Sequence, residues 1–249
     1  MNEKLVMRSF LFVPGHIDSM LTKAVSVDAD CIAYCLEDAV PANHKDEARD
    51  KVRAILEEGE FGNKNVFVRI NPMETGLTLL DLDAVACKNL KGFVYPMANT
   101  ADDIKNFAAQ LGLIEQQHNL EVGSFSIVVL IETPQAVINA YELAKASDRV
   151  IALLFGCEDY MAAMESRYSV NEMSLFVPRS NVAIAARAAG IEAIDTPYVS
   201  MDDHVGLKRF ATTGRDLGMS GMLAMSPKQI PIIKECYSQS AEEIKVAEA

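Results

Sequence analysis

Three things are scarce in this chain: paired cysteines, long apolar runs and positive charge. The five cysteines, Cys31, Cys35, Cys87, Cys157 and Cys236, are odd in number and none belongs to a Cys-x-x-Cys pair. That favours reduced thiols in a cytoplasmic protein. No apolar run approaches the ~18 residues needed to span a bilayer, and Met1–Arg8 leads directly into a strand-like run with no signal-peptide pattern. With 23 Lys+Arg against 35 Asp+Glu the net charge is −12, so neither a nucleic-acid backbone nor an anionic membrane is an expected partner. An anionic small molecule stays open, because a local arginine can override the global sign. Linkers, repeats and low-complexity stretches are also missing, which leaves a single domain.

What is present is an alternation. Short apolar runs rich in β-branched residues recur at Ser9–Val13, Cys31–Leu36, Asn65–Asn71, Gly92–Tyr95, Ser126–Ile131 and Val150–Phe155, with weaker ones at Ala193–Asp195 and Gly221–Ala224. They are nearly continuous in apolar character, as strands of a parallel sheet covered on its outer face are. Between them lie helical patterns over Lys45–Leu56, Ala101–Leu113, Pro134–Ala144 and Asn181–Ala189, the last stopped by Gly190. Eight strands alternating with helices in 249 residues predict a single-domain (β/α)8 TIM barrel, a fold of roughly 250 residues. The barrel is expected over residues 1–239, with 240–249 as a short frayed tail. The 12 methionines are expected as core fillers.

In such a barrel the active site gathers at the C-terminal ends of the strands. Those ends carry Pro14-Gly15-His16, Glu37-Asp38, Arg69 with Asn71, Glu132-Thr133, Glu158-Asp159, Asp195 and Ser226. Acids converging on one mouth repel one another, and a divalent cation relieves the repulsion. Oxygen donors point to Mg2+, with Mn2+ as an alternative, rather than to Zn2+. Mg2+ takes one or two carboxylates and leaves its other positions to water and substrate, so the remaining acids would act through metal-bound water. Bland explanations compete. An acid after a strand also serves at a helix N-terminus, which applies about equally to Glu132 and to Glu37 with Asp38. Arg69 sits in an apolar strand and must meet a carboxylate, whether that of Glu37 or that of a substrate. His16 and His204 read as surface or capping residues.

Six segments, in order, carry a family resemblance: RSFLFVPG at Arg8–Gly15, LEDAV at Leu36–Val40, VRIN at Val68–Asn71, IETPQAV at Ile131–Val137, FGCEDY at Phe155–Tyr160 and AARAAGIEAID at Ala185–Asp195. Together they resemble the citrate lyase beta subunit-like group of the HpcH/HpaI aldolase and citrate lyase superfamily, from Arg8 to about Ile233. The resemblance implies a (β/α)8 barrel, a homotrimer or a multiple of one, and a single Mg2+ held by Glu132 and Asp159. It implies that Glu37 and Asp38 approach the metal through water and that Arg69 binds the carboxylate of a small substrate or product. It also places Arg8, Pro14 and Gly15 at a rim near acyl-CoA entry. The activity implied is a carbon–carbon lyase that cleaves or forms a short hydroxyacyl-CoA, such as citramalyl-CoA or malyl-CoA, to a 2-oxo acid and acetyl-CoA. Two alternatives accompany it: a citryl thioester lyase subunit acting on a carrier-bound substrate, and a non-catalytic barrel that binds Mg2+ and a 2-oxo acid. The chain departs from the group's pattern at Cys35, where an Asp is usual, at Met97, where a Lys is usual, and at Ser226, where a His is usual. Longer members also carry a C-terminal segment whose acid reaches a neighbouring subunit's site, and the stretch after Gln239 does not match it.

Overall fold

The computed structural model describes residues 5–169 and 172–239; the expected tail at 240–249 lies outside them. Among the described residues, eight parallel strands run in sequence order and close on themselves, β1 (Ser9–Pro14), β2 (Cys31–Cys35), β3 (Asn65–Arg69), β4 (Gly92–Tyr95), β5 (Ser126–Ile131), β6 (Val150–Phe155), β7 (Glu192–Asp195) and β8 (Gly221–Ala224). The closing contact pairs Ser9, Phe10 and Leu11 of β1 with Met222, Leu223 and Ala224 of β8. The expected (β/α)8 barrel is therefore present, and all eight expected strands are found within two residues of their expected ends.

Alternate residues along a strand point to opposite faces, and in a closed barrel those faces are the lumen and the helix layer. Two separate apolar clusters reflect this. Phe10, Cys31, Ala33, Phe67, Val128 and Leu154 belong to the smaller, inner cluster. Leu11, Ile32, Val66, Phe93, Ile127 and Leu153 belong to the larger one, packed against the helices. Both faces are apolar, which is why the runs read as continuous. Gly92 permits a close crossing, since a Cβ there would stand 2.0 Å from the Ser126 carbonyl oxygen.

The helices differ from expectation mainly at their ends. Lys45–Glu58 and Ala101–Gln117 run longer than their apolar periodicity; the second is opened by a capping box between Thr100 and Asp103. The segment after β5 is two short helices, Pro134–Ile138 and Ala140–Lys145. They break at Asn139, whose side-chain amide donates to the Asn99 carbonyl at 2.8 Å. The Ala-rich helix starts at Met173, ahead of Asn181, and carries Pro178 in its interior. Burial of Leu175, Pro178, Arg179 and Val182 against the barrel offsets the lost backbone bond. No helix among the described residues is long and apolar enough to cross a membrane. All five cysteines are buried free thiols. The methionines correct the expectation of core filling: Met7, Met161, Met219 and Met222 are buried, but Met20, Met73, Met97, Met164, Met173, Met201 and Met225 are exposed.

Candidate active site

A cavity of about 650 Å3 opens at the C-terminal end of the barrel. Its polar side is formed by Asp38, Arg69, Glu132, Glu158 and Asp159. Its apolar side is formed by Pro14, Met20, Val27, Met201, Leu223 and Met225, with Lys23 at the edge.

Glu132 follows β5 on the lumen side, in phase with Val128 and Leu130. Its side chain is buried, and Oε1 accepts the Met97 amide at 2.7 Å. Met97 reaches that position with a left-handed backbone, φ 55°, unusual for a residue with a side chain. Its own side chain is exposed. Gly156, which follows β6, leaves room beside the carboxyl: a Cβ there would lie 3.0 Å from Glu132 Cβ and 3.2 Å from Oε2. Burial pushes the Glu132 carboxyl up to about 8; the charges of Glu37 and Asp159 add to this, while the Met97 amide and Arg69 oppose it. Asp159 sits in the first turn of the helix Cys157–Ala163. Burial and then the neighbouring charge of Asp38 raise it, and a hydrogen bond with Glu132 pulls it down. Burial thus favours the protonated form of Glu132 at neutral pH, in a place where a cation could take the proton's role.

Arg69 ends β3 and is hemmed in. Its Nη1 lies 2.9 Å from Glu37 Oε2, its Nε and Nη2 donate to Cys35 Sγ at 3.3 and 3.1 Å, and its guanidinium stands 4.7 Å from the centre of the Phe12 ring. Burial disfavours its charge, but Cys35 and Glu37 outweigh that and its pKa is raised. The question left open by spacing has an answer: the protein carboxylate that meets Arg69 is Glu37. Glu37 is itself buried; desolvation raises its pKa against the pull of Arg69. Lys45 Nζ ties down the same loop by donating to the carbonyls of Leu36 at 2.6 Å and Glu37 at 2.9 Å. Asp38 is exposed and lines the cavity.

Other expected residues lie elsewhere. Arg8 precedes β1, at the far end of the barrel from the cavity. Its Nε donates to Asp30 Oδ2 at 2.9 Å and its Nη1 to Ser238 Oγ at 2.7 Å, so it fastens the start of β1 and does not reach the rim. Pro14 does line the cavity. Gly15 supports it from behind: its amide donates to the Cys35 carbonyl at 2.9 Å, where a Cβ would come within 2.7 Å. Asp195 is fully buried on the outer face and pairs with Arg179, so it does not join the acids at the mouth. Asn71 is buried, its side chain bonded to Asp81 and to the Leu36 carbonyl. Ser226 lines the cavity. His16 is partly buried and packs against His44, with ring centres 5.6 Å apart, while His204 is exposed at the start of the helix His204–Asp216. The Met97 amide, the closeness at Gly156, Lys45 and the methionine wall were not foreseen; Gly156 opens the GCED segment, but a backbone amide leaves no side-chain signature.

The donor set fits a hard divalent cation. Glu132 and Asp159 present two carboxyls to the same cavity, which Gly156 also lines. No group of three or more His, Cys, Asp or Glu side chains among the described residues forms a ready-made cage. A cation that keeps several waters needs no such cage.

Residues 8–227 match the family described as HpcH/HpaI aldolase/citrate lyase. The chain is 32% identical over 248 residues to the citrate lyase subunit beta of Leuconostoc mesenteroides subsp. cremoris, covering 100% of this chain and 82% of that protein. It is 29% identical over 251 residues to the human mitochondrial citramalyl-CoA lyase, covering 97% and 74%. Among solved structures it superimposes with a TM-score of 0.79 and 25% identity on a citrate lyase beta subunit from M. tuberculosis complexed with oxaloacetate and magnesium, covering 96% of this chain and 100% of that one.

Proposed function

The chain belongs to the HpcH/HpaI aldolase/citrate lyase family, and from that premise we propose that it is a Mg2+-dependent carbon–carbon lyase that cleaves a short hydroxyacyl-CoA to a 2-oxo acid and acetyl-CoA. The observation that carries this reading is the convergence of Glu132, Asp159, Asp38 and Arg69 on one cavity whose other wall is apolar. Citramalyl-CoA and malyl-CoA are the substrates that fit best, each joining a carboxylate head to a thioester arm.

In this reading Glu132 and Asp159 would hold the Mg2+, with Asp38 on the same cavity wall to bind its water. When bound, the cation acidifies the substrate hydroxyl and stabilises the negative charge that develops on that oxygen during cleavage. The protein's residues do the rest. Arg69 grips the carboxylate of the 2-hydroxy acid end, fixing its orientation, and Glu37 holds Arg69 in place. As the hydroxyl proton leaves, the carbon–carbon bond breaks and its electron pair passes to the thioester side, which takes up a proton to become the acetyl thioester. Met20, Met201 and Met225 provide an adaptable apolar wall for the thioester arm, and Lys23 supplies a cation at its edge.

The test is a screen of the purified protein with Mg2+ against citramalyl-CoA, malyl-CoA and citryl-CoA. Release of pyruvate, glyoxylate or oxaloacetate is the readout, with EDTA as the control. Release that EDTA abolishes is the expected result. Free hydroxy acid and CoA would instead indicate hydrolysis, and binding of oxaloacetate with no turnover would indicate a non-catalytic barrel; either result overturns the lyase reading.

A further inference from the structure

Arg69 is the arginine of the cavity, and sulfur holds one edge of it. Cys35 and Arg69 are register partners across β2 and β3, both on the lumen side. The Cys35 sulfur is fully buried and receives three N–H donors: Arg69 Nε at 3.3 Å, Arg69 Nη2 at 3.1 Å and the Glu37 amide at 3.3 Å. A guanidinium carries five N–H groups. Cys35 takes the edge shared by Nε and Nη2, and Glu37 faces Nη1. Glu37 Oε2 stands 2.9 Å from Nη1 as an ion pair but outside hydrogen-bonding alignment, so among the described residues hydrogen bonds engage Nε and Nη2 alone, and the far edge, between Nη1 and the second N–H of Nη2, is the fork that takes a carboxylate with two parallel bonds.

We propose that Cys35 is a positioning residue, whose sulfur fixes the Arg69 guanidinium so that its remaining fork meets the carboxylate of the substrate. The inference deepens the lyase reading and rests on its assignment of Arg69 as the carboxylate anchor. Two physical arguments support it. First, an arginine among Glu37, Asp38, Glu132 and Asp159 has several protein carboxylates to turn toward. Phe12 packs on its face, Glu37 holds one nitrogen and Cys35 holds a whole edge, so rotation is blocked from three sides. Second, the sulfur accepts both N–H groups without placing another carboxylate at a mouth that must admit an anionic substrate. A carboxylate in the same position would grip Arg69 more strongly but would also neutralise more of its charge.

The experiment compares Cys35→Ala with Cys35→Ser, which keeps an acceptor on a shorter bond. Its first readout needs neither metal nor substrate: the 15N-resolved Nε–H signal of Arg69, assigned by its disappearance in Arg69→Lys. That signal is expected to be protected from solvent exchange in the wild type and in Cys35→Ser, and to exchange rapidly in Cys35→Ala. The second readout is steady-state cleavage, with Mg2+, of whichever CoA ester the wild type turns over. Loss of positioned, charge-assisted bonding should raise KM about tenfold in Cys35→Ala with kcat changed by less than about twofold, and Cys35→Ser should recover most of the difference. If Cys35→Ala does not fold, Cys35→Val takes its place as the variant without an acceptor. An unchanged Nε–H signal and KM in the variant without an acceptor overturns the proposal, as does equal impairment in Cys35→Ser. A wild type that cleaves no CoA ester defeats the lyase reading alone, because the Nε–H signal still decides whether Cys35 holds Arg69.

Discussion

Replacing Glu132 by Gln should make the metal-free protein more stable while abolishing its proposed activity. In the unfolded chain Glu132 titrates near 4.5, whereas in the fold it titrates at about 8. At pH 7 folding must therefore supply this side chain with a proton, and linkage sets the cost at about 3 kcal/mol, the interval from 4.5 to 7 multiplied by 1.36 kcal/mol per unit. The sign follows from the direction of the shift. A carboxyl whose folded pKa is raised costs nothing below about 4.5, its penalty grows as pH climbs, and the penalty levels off near 5 kcal/mol above about 8. Glutamine is neutral throughout and nearly the same shape. Its oxygen can still accept the Met97 amide and its NH2 can donate to Asp159.

The comparison is a pair of thermal or urea melts in EDTA across the range from pH 5 to pH 8. Glu132→Gln should gain on the wild type by about 1.4 kcal/mol per pH unit, reaching about 3 kcal/mol at pH 7. For a chain of this length that gain corresponds to about 6 °C in melting temperature. Added Mg2+ should narrow the gap by stabilising only the wild type. A variant that melts below the wild type in EDTA, or a gap that does not widen with pH, would refute the idea that burial holds Glu132 protonated. Such a result would also remove the physical reason for expecting a cation there.

Two further predictions concern the metal site and the buried pair outside the barrel. Binding of Mg2+ should expel the Glu132 proton, so calorimetry at pH 7 in buffers of different ionisation enthalpy should report about one proton released per ion, with affinity rising toward pH 8 and flat above it; affinity that does not vary across this range would contradict it. Arg179→Met leaves the Asp195 carboxyl buried without its cationic partner, which should cost about 3–5 kcal/mol in a urea melt with no change in KM, and Arg179→Met with Asp195→Leu should recover most of the loss.

The barrel was legible because its signal is redundant. Eight apolar runs at near-regular spacing admit few folds, and β4, β5, β6 and β8 match the apolar runs residue for residue. Helix boundaries were less legible, for identifiable reasons. Asn139 ends a helix through a bond to the Asn99 carbonyl, a residue on the β4 side of the neighbouring loop. The helix over Met173–Ala189 tolerates Pro178 because that residue is buried against the barrel. Both effects are tertiary, and neither leaves a mark in the local sequence. The exposed methionines failed as core fillers for a related reason: Met20, Met201 and Met225 line the cavity wall from three different loops or helices, and only closure of the barrel brings them together.

The acids at the strand ends show where sequence reasoning stops. Composition made Glu132 and Asp195 equivalent, since each sits at the C-terminal end of an apolar run. What separates them is phase. In β5 the lumen-facing residues are Val128 and Leu130, so Glu132 continues their face into the mouth. In β7 the lumen-facing residue is Ile194 and the outward one is Ala193, so Asp195 continues outward, under the helices. Period two is written in both strands, but both faces are apolar and the sequence alone does not say which is the lumen. The phase of β7 is revealed by Arg179, a buried cation 16 residues upstream in the chain that must find an acid in the helix layer. The same logic sorts Cys35 and Arg69. Their shared register and lumen phase make sulfur the hydrogen-bond acceptor for one edge of the guanidinium, so an apparent loss of a carboxylate at that position becomes a change in how the arginine is held. A buried charge is thus best assigned by asking first which face it occupies and then which partner that face supplies.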